Sequence, residues 1–142
     1  MKNKKVWMGA IGVFLGFVAL EALGNFVVLK STMDSIKNLM RPEAELNAKM
    51  WILFVTYAFF AYFFSWIFSK GYEGKGMMEG IRFGLAIGLM FQLSFSYSLY
   101  VYMPFPYSFA LSTFLYGMVE MVVLGIIVAW IFGMKPSVQA AA

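Results

Sequence analysis

Apolar side chains fill four long runs along this chain, at residues 6–29, 50–68, 80–103 and 109–132, and most of the charges lie between them. A helix rises about 1.5 Å per residue, so roughly 20 apolar residues cross a hydrocarbon core about 30 Å thick. The pattern predicts an all-α integral membrane protein. Residues 1–142 would form a single domain, a four-helix bundle of transmembrane helices running up-down-up-down.

The intervening segments have their own signals. Within residues 30–49, Met33, Ile36, Leu39 and Met40 recur at helical spacing, with Asp34, Lys37 and Asn38 between them. This predicts a short interfacial helix lying at the headgroups between helices 1 and 2. Pro42 ends it and suits the first turn of the next helix, where Glu43 and Glu45 are favoured by the helix dipole. Residues 70–76, KGYEGKG, hold three glycines that ease a tight reversal. They lack the preceding strand and the GK[ST] ending of a phosphate cradle. Pro104 and Pro106 stiffen the turn before the fourth run. Tyr97, Tyr100, Tyr102 and Tyr107 gather there as an outer aromatic belt. Aromatics in the second run cover every face of a helix, which fits packing and lipid contact rather than a cofactor stripe.

Composition agrees with this reading. Hydrophobic residues make up 62% of the 142 and charged ones 13%, with a mean hydropathy of +0.77, so a water-soluble globule would lack a polar coat. The net charge of +4 is explained by position, not by a nucleic-acid partner. Lys2, Lys4, Lys5, Lys70, Lys75, Arg82 and Lys135 fall on one side of the predicted bundle. Lys30, Lys37, Arg41 and Lys49 fall on the other. The positive-inside rule then places both termini in the cytoplasm. Lys2 to Lys5 before an apolar run resembles a signal peptide with a passable cleavage site at 22–24, but the run is long for an h-region and continues past that site. The chain has no cysteine and no histidine. Their absence removes thiolate chemistry, the usual haem and zinc ligands and the most common general base. No cofactor, metal site or catalytic residue is expected, and an enzyme is not.

Glycines and a few polar side chains carry the remaining information. Gly12 and Gly16 form a GxxxG pair, and Gly80, Gly84 and Gly88 recur every four residues; both patterns allow close helix packing. Spans one and three thus share glycines followed by a polar residue, an echo that either a duplicated hairpin or common packing preferences would produce. Glu79 and Arg82 are three apart and are expected to pair at the headgroup interface. Glu21 and Glu120 are the ionisable side chains deep within spans, where a charged carboxylate costs at least ~2.5–3.5 kcal/mol. Helical rise puts Glu21 about 12 Å, and Glu120 about 17 Å, below the outer ends of their spans. With Asn25 and Gln92 they are expected to meet in one polar layer. Low dielectric and like charge would oppose double ionisation, so the two acids would share a proton. Such a cluster suits proton or cation handling, and equally suits neutral glue between helices.

Residues 41–45 (RPEAE), 70–76 and 79–84 (EGIRFG), with an acid in span one and an acid before a glycine in span four, resemble a family of small uncharacterised bacterial four-helix membrane proteins. The resemblance covers nearly the whole chain and implies the bacterial inner membrane, but no activity. The expected function is that of a non-enzymatic accessory or interaction protein, embedded in the lipid bilayer and joined to a larger complex or to itself as a homo-oligomer. The alternative is a small proton-coupled transporter or channel using Glu21 and Glu120. A third option is a lipid-binding or lipid-modifying protein that meets phosphate headgroups at Arg82.

Overall fold

A computed structural model describes residues 2–134; Lys135, counted above among the charges of one side, lies outside the described residues. The described chain is helical almost throughout and contains no strand. Four helices are long and apolar enough to cross a membrane: α1 (Lys2–Val28), α3 (Glu43–Gly71), α4 (Met77–Tyr102) and α5 (Tyr107–Gly133). A six-residue helix, α2 (Lys30–Ser35), follows α1. The long helices match the four apolar runs but extend beyond them; α3 begins seven residues before its run. Hydropathy marks the part suited to hydrocarbon, whereas helical hydrogen bonds continue into the polar flanks until Pro42 and the glycines of residues 71–76 end them.

Contacts between helices run in opposite senses along the chain. In α1 and α3, the Ser65 hydroxyl donates to the Val6 carbonyl at 2.9 Å, while Phe17 packs on Tyr57 and Phe60, with ring centroids 4.5 and 4.9 Å away. In α1 and α5, Lys5 Nζ donates to the Phe132 carbonyl at 2.6 Å. Gly12 then faces Ile131, and Gly16 faces Ile127 and Leu124. Lys5 thereby satisfies carbonyls at the end of α5 that have no partner within the helix, where positive charge also suits the helix dipole.

The closest seam joins α4 to α5. A Cβ on Gly80 would collide with the Gly125 carbonyl, and one on Gly84 would sit 2.7 Å from the Val122 Cα. Gly88 faces the Met118 thioether, a flexible neighbour. Gly80 and Gly84 on α4 therefore contact backbone, whereas Gly88, like Gly12 and Gly16 on α1, receives side chains. Val13, Leu124 and Val128 are fully buried. Phe83 joins Phe64 and Phe68 across the α3–α4 gap, at 4.8 and 5.2 Å. Packing is uneven along α3: its buried residues are all between Ala61 and Ser69. From Glu43 to Thr56 every residue except Leu46 is exposed.

Two features depart from regular helix. Residues Gly24–Val28 of α1 and Leu89–Leu93 of α4 form π-turns, each after a glycine series. Residues 33–40 do not form one amphipathic helix. α2 stops at Ser35, and a 3-10 turn covers Lys37–Leu39. Ile36 is buried, while Leu39 and Met40 are exposed.

Candidate functional site

The four polar side chains singled out within the spans converge on one cavity of about 170 Å³ bounded by α1, α4 and α5. Glu21 and Asn25 contribute from α1, Gln92 from α4 and Glu120 from α5. Both π-turns supply lining residues, Asn25 from the first and Gln92 from the second. A π-turn widens the helix and displaces the following side chains, and such turns are frequent at functional sites.

Glu120 lies deepest, 2% exposed. Its Oε1 is the buried side-chain oxygen or nitrogen left without a hydrogen-bond partner among the described residues. A buried acceptor without a partner costs about 1–3 kcal/mol, more if charged, so such a group in a native interior needs an explanation. Glu21 is half-buried and accepts a hydrogen bond from Asn25 Nδ2 at 3.2 Å, one helical turn on. Glu21 and Glu120 line the same cavity. Among the described residues no lysine or arginine lines the cavity to neutralise either acid.

Sequence reasoning missed several participants. Thr113, Tyr116 and Gly117 share the Glu120 face of α5 at i, i+3, i+4 and i+7, a spacing visible in the sequence once Glu120 is chosen as reference. Gly117 is small because Gln92 fills the place of its side chain. Ser96, one turn beyond Gln92, is buried and accepts from the Thr113 hydroxyl at 3.3 Å. Tyr116 has a more specific task. Its hydroxyl donates to the Leu20 carbonyl, and its ring packs on Gly24. The tyrosine thus ties α5 to α1 just before the π-turn of α1.

The remaining site residues lie elsewhere. Glu79 and Arg82 form no ion pair among the described residues. Glu79 instead accepts the backbone N–H groups of Glu73 at 2.6 Å and Lys75 at 3.0 Å. Gly74 and Gly76 adopt positive φ, 78° and 81°, which turns the loop back over the start of α4. A carboxylate in that first turn competes better for these donors than an exposed guanidinium competes for the carboxylate. Lys75 bonds Glu73 and holds its carboxyl below the usual carboxylate range. Arg82 remains exposed, and Glu79 is half-buried beside it. Among the described residues no three or more His, Cys, Asp or Glu side chains gather as metal ligands. Comparisons with protein-family models, curated proteins and solved structures find no match for this chain.

Proposed function

We propose that the chain is a multi-pass protein of a bacterial inner membrane that handles protons or another cation at Glu21 and Glu120, without catalysing a covalent reaction. The observation that carries this reading is the buried Glu120, one of its oxygens unpartnered, lining a cavity together with Glu21. Intramembrane acids facing a polar cavity are a recurrent basis for ion and proton pathways. The opposed contacts between successive helices support an up-down-up-down crossing, and the lysine and arginine distribution supports cytoplasmic termini. Toward the end carrying Lys5, the core around Phe68 and Phe132 is closely packed, so one copy offers no evident through-path. Transport would therefore require a homo-oligomer or a change of shape.

Reconstitution into liposomes with an entrapped pH-sensitive dye tests the reading. Under an imposed potential, the protein is expected to accelerate proton entry, and Glu21→Gln or Glu120→Gln to abolish the acceleration while leaving the fold intact. Flux equal to that of protein-free vesicles overturns it.

The exposed stretch of α3 favours a second reading, an accessory subunit. From Glu43 to Thr56 the helix is largely exposed and leaves surface for a larger membrane complex or a second copy. Native mass spectrometry after gentle extraction separates the readings by reporting partners, copy number and retained lipid together.

A further inference from the structure

Resting on the reading of this cavity as a cation site, we infer that its ligand is a small amphiphilic organic cation: a protonated primary amine with an apolar tail. The chamber has two chemically different parts. Its acidic part is lined by Glu21 and by Glu120, whose buried Oε1 nothing in the described chain satisfies. An ammonium group brings one positive charge and three N–H donors. Gln92, Ser96 and Thr113 add oxygen acceptors around the carboxylates. No basic side chain of the lining competes for the position.

The rest of the wall is apolar: Leu29, Met33, Phe95, Leu99 and Phe109. A bare proton or a small metal ion has no use for such a wall. An alkyl tail has a use for it, because each buried methylene contributes about 0.8 kcal/mol. Size agrees. The volume of about 170 Å³ is an order of magnitude above the roughly 10–15 Å³ that admits one water. Along α5 the lining reaches from Glu120 to Phe109, about 17 Å of helix, so a short chain fits with its head at the acids. Phe95 and Asn25 are exposed and lie on α4 and α1, which places a route of entry between these helices.

The test is calorimetric titration of the full chain in nanodiscs with hexylammonium, methylammonium and hexanol, each corrected for empty nanodiscs. Hexylammonium is expected to bind saturably. Methylammonium should bind at least about tenfold more weakly, having no tail to bury, and hexanol should show no saturable site. Glu120→Gln should weaken hexylammonium by about tenfold or more. Leu99→Trp, which fills the apolar wall, should remove the preference for hexylammonium over methylammonium. It decides the question if the Glu120 variant does not fold. Equal binding of hexanol and hexylammonium, or hexylammonium binding indifferent to both substitutions, overturns the assignment. Glu120-dependent proton flux without amine binding overturns the amine and leaves the proton reading standing. Glu120-dependent amine binding without flux supports the amine site and overturns proton coupling.

Discussion

At Glu120 a carboxyl group is enclosed with one oxygen unsatisfied, an arrangement that costs stability. Replacing it with leucine removes the unsatisfied acceptor and keeps much of the volume. Glu120→Leu is therefore expected to raise the free energy of unfolding in detergent by about 1–3 kcal/mol, measured by reversible denaturation, while abolishing cation handling. A less stable variant would mean that the native carboxyl is well satisfied. Tyr116 makes the opposite case. Loss of its hydroxyl leaves the Leu20 carbonyl without that donor, so Tyr116→Phe should cost about 0.5–1.5 kcal/mol. Amide exchange at residues 24–29 should quicken, which a uniform loss of stability would not single out.

Among the helices, the glycines divide by what they touch. On α4, Gly84 faces backbone and Gly88 faces the end of a methionine side chain. Backbone cannot yield without moving a helix, but a thioether turns aside readily. Gly84→Ala should destabilise by about 1–3 kcal/mol, as overpacking does, and Gly88→Ala by clearly less. Equal effects in thermal unfolding of the two variants would refute the backbone seam. The glycine spacing was legible in the sequence; the difference between the two positions was not, because it depends on which residues of α5 lie opposite. The four long helices were legible for a simple reason: runs of this length and apolarity have few other solutions. Depth along each span was enough to group Glu21, Asn25, Gln92 and Glu120. The π-turns left no such mark in the sequence. Tyr116, Ser96 and Thr113 were passed over because each is unremarkable alone and joins the cavity only through Glu120 or Gln92. The expected Glu79–Arg82 pair failed because helical spacing says nothing of backbone donors supplied by a preceding loop.

For the whole molecule, the lysine and arginine distribution makes a directional claim. The sequence has no cysteine, so single cysteines report position without background. Lys37→Cys should react with a membrane-impermeant maleimide in intact spheroplasts, and Lys75→Cys only after permeabilisation. The reverse pattern would invert the assignment of sides, and equal labelling of both would remove the membrane-spanning arrangement. The molecule is also unequal from end to end. Aromatic packing among Phe64, Phe68, Phe83 and Phe132 consolidates one end, whereas the early part of α3 stands apart at the other.

The backbone contact between α4 and α5 has a mechanical consequence. Two helices clasped at Gly80, Gly84 and Gly125 have no side-chain layer to shear, so they move as one stiff plate. Dilation of the acidic chamber therefore falls to the segments beyond the clasp, where α1 and α4 each carry a π-turn.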